Sequence, residues 1–363
     1  MNLRDPSSIL PGFPRGAEIL IVRLRSLGDL VLTTPAISAL HAWRPDLRLS
    51  LLVEKAHAAV LEGNPAISEI ILAKSFPLMV RELRRRRFPI VFNQHAGPKS
   101  ALLVAAIGAP VRVCWEKRQF SFFYNVLASD ATRPMHTVEH RIEQFYAAGL
   151  PRGPIPRAQV YPQADARGAI AGILAAKGID PGKPYAVLRP GAKYFTKRWA
   201  MEKFAAIAKW LREKHGIEPV FNLGAGEADI ADEVRRVCAK DFALLDALNL
   251  RQLIALVSDC RLFIANDSGP THLAAAAGRP VVAIFGSSSS VHWRPWATRH
   301  RVAQNDFPCN PCRGDHCYAF AEPRCILSVT FEQVRDACEE LLAERDSNSV
   351  TYGIAASGST SVQ

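Results

Sequence analysis

Three stretches of the chain combine acids, bases and glycines at spacings suited to chemistry on hydroxyl and phosphate groups. The first is R-L-R-S-L-G-D, ending at Asp29. The apolar run Ile19–Val22 before it reads as a buried strand, and Val31–Trp43 after it as a helix. An acid at such a junction has two readings. It can cap the helix by accepting free backbone N–H groups. It can also serve as a catalytic carboxylate at the carboxyl end of a strand, where open α/β sheets bind ligands. The second stretch is N-D-S-G-P-T-H, Asn266 to His272. Pro270 suits a first helical turn. The N–H groups of Ser268 and Gly269 then face out of a helix N-terminus, a ready anion site flanked by Asp267 and His272. Alone, the motif reads equally as a capped helix with an incidental histidine. The third is L-R-P-G-A-K-Y-F-T-K-R-W, which puts Lys193, Lys197 and Arg198 on a loop after a strand, where cations recognise phosphate. In the following loop, F-N-L-G-A-G-E, Gly224 and Gly226 permit close backbone approach and Glu227 is placed for ribose hydroxyls.

These residues need strands and helices to hold them, and the hydropathy pattern supplies both. Strands are expected at Ile19–Val22, Leu49–Val53, Ile70–Leu72, Ile90–Asn93 and Val111–Val113. Helices fall between them, and one over His136–Ala148 is closed by Gly149. The Pro-rich stretch 150–165 interrupts the rhythm, which restarts with strands at Tyr185–Leu188, Pro219–Asn222, Arg261–Ala265 and Val281–Phe285. The pattern predicts an α/β fold of two doubly wound, Rossmann-like domains facing a cleft. Residues 1–16 read as a flexible arm, 17–155 as an N-terminal Rossmann-like domain and 166–345 as a C-terminal one. The Ser/Thr/Gly-rich tail 346–363 reads as disordered.

The formal net charge is +11, with 48% hydrophobic and 22% charged residues. A basic balance calls for an anionic partner. No nucleic-acid module is apparent. No apolar run approaches the roughly 20 residues that span a bilayer. The first residues lack the apolar core of a secretory signal, so a cytoplasmic protein is expected. The densest basic run is R-E-L-R-R-R-R-F. Arg84, Arg85, Arg86 and Arg87 read either as a solvated helix face or as a contact for an anionic membrane or acceptor, enlarged by Lys99, Arg112, Lys117 and Arg118. Cys309, Cys312, Cys317 and Cys325 form C-x₂-C-x₄-C-x₇-C. That spacing suits a structural staple away from the chemistry, either a metal site, with His316 as a substitute ligand, or a disulfide; the alternative is unrelated buried thiols. His136 and His140 lie one turn apart without a third ligand, so they read as core or surface histidines.

Jointly, I-L-I-V-R-L-R-S-L-G-D, P-G-A-K-Y-F-T-K-R-W, N-D-S-G-P-T-H-L-A-A-A and V-V-A-I-F-G resemble the ordered motifs of glycosyltransferase family 9, the ADP-heptose:lipopolysaccharide heptosyltransferases. The resemblance runs from Ala17 to about Leu342. It implies a GT-B fold, with 17–155 on the acceptor side and 166–345 binding the nucleotide sugar, and inverting transfer without a metal or other cofactor. It makes Asp29 the catalytic base, with Gly28 leaving room for the acceptor. Lys197, Asp267, Ser268, Gly269 and His272 then surround the donor diphosphate, and Glu227 takes the ribose. The implied partners are ADP-heptose, a lipopolysaccharide core acceptor and, peripherally, the inner face of the cytoplasmic membrane. The competing readings are the same chemistry on another nucleotide sugar and a non-catalytic nucleotide-binding protein. A dehydrogenase is disfavoured because the first turn is R-S-L-G-D and not G-x-G-x-x-G.

Overall fold

The computed structural model describes residues 5–130, 134–224, 226–238 and 241–344; the expected tail lies outside the described residues. The first half builds strands β1 (Glu18–Val22), β2 (Arg48–Val53), β3 (Glu69–Leu72), β4 (Ile90–Asn93), β5 (Val111–Trp115) and β6 (Val126–Ala128). They form a parallel sheet in the order β3-β2-β1-β4-β5-β6. Its helices are α1 (Leu27–Val31), α2 (Thr34–Trp43), α3 (Phe76–Arg86), α4 (Pro98–Ile107) and α5 (Thr137–Ala147). The second half repeats the scheme with α6 (Ala164–Ala176), β7 (Tyr185–Arg189), α7 (Met201–His215), β8 (Glu218–Asn222), α8 (Ala228–Cys238) and β9 (Ala243–Leu245). It continues through α9 (Leu250–Asp259), β10 (Leu262–Asn266), α10 (Gly269–Ala276), β11 (Val281–Ile284), α11 (Ser290–Trp293), β12 (His300–Ala303), α12 (Arg324–Leu327) and α13 (Phe331–Ala343). Its parallel sheet runs β12-β11-β10-β7-β8-β9.

Both sheets are covered on two faces, which is why their strands are apolar almost throughout. Side chains alternate across each sheet. Ile19 and Ile21 join a core with α2, α5 and the inner face of the second sheet, so one apolar layer runs continuously between the halves. Leu20 and Val22 point the other way, into a core closed by α3 and α4. In each sheet the β1 and β10 strands lie in the interior, and their carboxyl ends carry Asp29 and Asp267.

Several expectations change. The single helix over Val31–Trp43 is two helices broken at Leu32–Thr33. Pro35 explains the break: it lacks an N–H for the carbonyl of Val31. Side chains take over, with Thr34 Oγ1 donating to Val31 O (2.8 Å) and Thr33 Oγ1 to Asp29 O (2.8 Å). The short helix ahead of the break puts Asp29 in a first turn. The flexible arm expected for residues 1–16 is packed over its described part. Ile9, Leu10 and Phe13 are buried in the core shared with α2 and α5. Leu10 N donates to Ala148 O (2.9 Å), and a Cβ on Gly149, at φ +104°, would meet Ser7 O at 2.1 Å. Apolar residues set between prolines and glycines show no period, so they resemble a linker although they bury.

The arm makes a test. Leu10→Ala should cost about 2–5 kcal/mol of unfolding free energy, the range for a truncated core leucine. Urea titration reads it; a loss under about 0.5 kcal/mol, as at a surface site, would restore the loose arm.

Candidate active site

The Asp29 carboxylate is gripped from three sides. Arg23 Nη2 reaches Oδ2 at 2.6 Å, Arg141 Nη2 donates to Oδ1 at 2.6 Å, and Ser26 Oγ donates to Oδ2 at 2.9 Å. Arg23 follows β1 directly, and Arg141 comes from α5. Their second nitrogens both donate to one acceptor, the Gln94 carbonyl just past β4, at 2.6 Å each. The Gln94 side chain donates to Arg141 O (2.9 Å) and Gln144 Oε1 (3.0 Å). The arrangement is therefore a rigid clamp on a partly exposed acid. Burial pushes the Asp29 carboxyl up, but the two guanidiniums and the Ser26 hydroxyl outweigh it and hold the group below the usual carboxylate range. Burial and the neighbouring Arg141 bring Arg23 down to about 9, so it stays charged at neutral pH. Asp29 thus does more than cap a helix: its oxygens are committed to side chains from three elements. His95 lies nearby, with Nδ1 3.2 Å from Arg25 O, and burial lowers its pKa.

The second-half residues singled out in the sequence gather at the carboxyl edge of the second sheet. Lys197 Nζ donates to Asp267 Oδ2 at 2.7 Å, and Ser288 Oγ donates to the same oxygen at 2.6 Å. Asn266 ties the basic loop to β10: its Nδ2 donates to Pro190 O (2.6 Å), and its Oδ1 accepts from Trp199 N (3.1 Å). That brace selects Lys197 among the three cations. Lys193 is exposed, and Arg198 pairs with Asp229 at 2.9 Å. Glu227 Oε2 accepts from Gly224 N (2.6 Å) and pairs with the buried Arg189 at 2.6 Å. A Cβ on Gly191 would lie 2.2 Å from Glu227 Oε1, so only glycine leaves space for this acid. Ser268 precedes α10 and makes no side-chain cap, which leaves the helix's first N–H groups for a ligand.

The two sides meet through two glycines. A Cβ on Gly269 would come within 3.2 Å of Gly28 N, and one on Gly28 within 2.8 Å of His272 Cδ2. Gly28 therefore does not leave room for a substrate, as expected from the sequence; it admits α10 and its histidine. His272 is buried, and its Nδ1 has no hydrogen-bond partner among the described residues. Burial lowers its pKa, opposed in part by Asp267 and Asp29, so the ring enters the site neutral.

Other expected residues lie elsewhere. Arg84, Arg85, Arg86 and Arg87 end α3, which runs back to the amino edge of the first sheet. Arg86 pairs there with Glu69 and lies 3.8 Å from Glu18, the first residues of β3 and β1. The arginine run is thus at the opposite end of the strands from Asp29 and takes no part in this site. Cys309, Cys312, Cys317 and Cys325 do line one cavity, with Thr196 and Ser287. All eight cysteines are free thiols, and no group of three ligating side chains among the described residues has the geometry to hold a metal ion. The loop is held by ordinary hydrogen bonds instead, Cys312 N to Ser287 O (2.9 Å) and Asn310 Nδ2 to Gly286 O (2.8 Å). His136 and His140 have separate partners: His136 Nε2 lies 2.8 Å from Arg294 O, and His140 stacks on Trp115. Sequence reading missed Arg23, Arg141, Gln94, Arg189 and Ser288. Arg141 carried one signal, its place on the inward stripe of α5 with Val138 and Phe145.

Residues 78–320 match the family model described as "Glycosyltransferase family 9 (heptosyltransferase)". The chain belongs to this family. It is a glycosyltransferase, and its paired doubly wound sheets are the GT-B fold. Among curated relatives, it is 27% identical over 292 residues to lipopolysaccharide heptosyltransferase 3 of Escherichia coli, covering 76% of this chain and 85% of the relative. The solved structure of E. coli ADP-heptose lps heptosyltransferase II superposes with a TM-score of 0.76 at 22% identity, over 90% of this chain and 98% of that one. E. coli heptosyltransferase WaaC with ADP gives 0.67 at 20% identity, over 89% and 99%.

The glycine junction generates a prediction for the family 9 chain. Gly28→Ala should push His272 aside and overpack the contact, lowering thermal stability by about 1–3 kcal/mol. Turnover should fall at least about tenfold, because a displaced group costs reaction geometry. Unchanged kcat with unchanged melting would show that the halves do not meet there.

Proposed function

We propose that the protein is an inverting heptosyltransferase, moving heptose from ADP-heptose to the inner core of lipopolysaccharide. The observation that carries this reading is the contact between Gly28 and His272: it sets the helical turn that bears the clamped Asp29 against the N-terminal turn of α10. The family and the heptosyltransferase relatives support it. An acceptor hydroxyl attacks the anomeric carbon, forming the new C–O bond as the bond to the ADP phosphate oxygen breaks. The hydroxyl proton passes to Asp29. ADP leaves with the electron pair, and Lys197, the N-terminus of α10 and His272 stabilise its charge. Glu227 Oε1 takes the ribose hydroxyls.

A carboxylate held by two arginines is a weak base. That suffices here because the attacking hydroxyl becomes strongly acidic only as its new bond forms. The clamp also keeps Asp29 ionised through the working range. Its folded pKa is depressed, so the ionised form is lost only when pH falls below the ordinary carboxylate range.

Asp29→Asn should lower kcat by roughly 10²–10⁴ with little change in ADP affinity. Near-normal turnover of the folded variant would remove Asp29 from the reaction. Arg141→Gln should let burial dominate and move the acid limb of the kcat profile to higher pH; an unmoved limb would mean that Asp29 does not set it. Lys197→Ala should weaken ADP binding in calorimetry. Equal affinity would place the diphosphate elsewhere.

A further inference from the structure

The first half carries most of the chain's excess charge in one segment. Between Lys74 and Asn125 stand ten lysines and arginines against two acids, Glu82 and Glu116, a surplus of eight in a chain of net charge +11. That segment forms α3, β4, α4, β5 and the single turn Ser121–Phe123. Three of these elements, α3, α4 and the turn, lie on one face of the first sheet, over the core that contains Leu83, Val104 and Tyr124. This face points away from the layer shared with the second half.

The outward side of each of these three elements shows a large apolar residue next to a free cation. On α3, Leu78 is 54% exposed, with Arg81 one turn on. On α4, Leu102 is 47% exposed, with Lys99 one turn back. In the turn, Phe122 is 74% exposed, and the exposed Lys117 stands earlier in the same connection, just past β5. Among the described residues, Arg81, Lys99 and Lys117 have no ion-pair partner. Phe76, also exposed, opens α3. In a parallel sheet every β-to-α connection emerges at the carboxyl edge. Phe76, Leu78, Lys99 and Lys117 therefore stand at the edge that carries Asp29. Scattered apolar side chains need no explanation. Apolar tips interleaved with unpaired cations along one face are the pattern of a protein that lies on an anionic bilayer.

We propose that the outer face of α3, α4 and the turn Ser121–Phe123 is a docking surface for an anionic lipid membrane. Leu78, Leu102 and Phe122 enter the headgroup boundary, and Arg81, Lys99 and Lys117 meet lipid phosphates. The proposal rests on the reading that the acceptor is lipid-borne, because it sets the Asp29 edge of the sheet toward the surface that carries the acceptor. The arginines that end α3 lie at the far edge and add charge without touching the site.

Cosedimentation with vesicles of phosphatidylcholine, with and without phosphatidylglycerol, tests it on the full chain. The wild type should bind the anionic vesicles, and binding should weaken with salt. Arg81→Gln/Lys99→Gln/Lys117→Gln should lower partitioning on the order of a hundredfold at low salt. Leu78→Ser/Leu102→Ser/Phe122→Ser should lose about tenfold or more with unchanged melting. Both variants should keep wild-type transfer to a water-soluble, delipidated core acceptor and lose it toward acceptor in vesicles. Equal vesicle binding by wild type and variants overturns the surface, as does absence of wild-type binding. A dimer that the Ser variant dissociates in light scattering overturns it in favour of a second copy of this chain. Transfer to the soluble acceptor reads the proposed reaction separately: its absence in the wild type would sink that reading, while vesicle binding still decides the surface.

Discussion

The approach of Gly28 to Gly269 governs the rest of the molecule. Two helices, one from each half, meet end to end with no Cβ between them, and a side chain on either would collide with backbone or with His272. Parallel sheets place their reactive loops at the carboxyl edge, so each half brings a prepared edge. The glycine contact lets the two edges meet, as the proposed reaction requires. Without it, Asp29 and Lys197 would be sound local structures serving no common purpose.

Around that contact the electrostatics follow one plan. Each acid in the site is paired with a cation: Asp29 with the buried Arg23 and Arg141, Asp267 with the half-buried Lys197, and Glu227 with the buried Arg189. Each pair is fixed by a further bond to the backbone or a hydroxyl, which removes the freedom that makes exposed ion pairs weak. The Gln94 carbonyl is central to the first group, since it orients two guanidiniums that would otherwise repel each other. The neutral His272 sits between the acids of both halves.

Much of this was legible in the chain. Asp29, Lys197, Glu227, Asp267 and His272 all lie in stretches that follow apolar runs and contain glycine or proline, so strand, turn and candidate chemistry stand out together. Arg141 and Gln94 were not legible as partners because their roles arise only when α5 folds against β1 and β4. Gly28 was read with the right importance and the wrong neighbour: nothing local says that a second helix will fill the space. The edge strands β6, β9 and β12 are too short, and too polar in places, to stand out as apolar runs. The arginine run ending α3 looked functional by density alone, whereas helix direction carries it away from the site. The cysteines looked like ligands by spacing, and the fold gathers them without the geometry of a metal site.

The internal pairs have a bearing on selectivity. Lys197 and Arg189 are already neutralised before any substrate arrives, so the empty site does not present bare cations to the solution. On the proposed reading, a ligand that enters must share Lys197 with Asp267 and bond Glu227 beside its Arg189 partner. A small anion such as inorganic phosphate offers one contact and leaves a buried acid uncompensated. On the proposed reading, a nucleoside diphosphate reaches the helix end, Lys197 and Glu227 together, and the several contacts offset the pairing it disturbs. On that reading the self-paired site favours ligands long enough to reach all three positions over abundant simple anions.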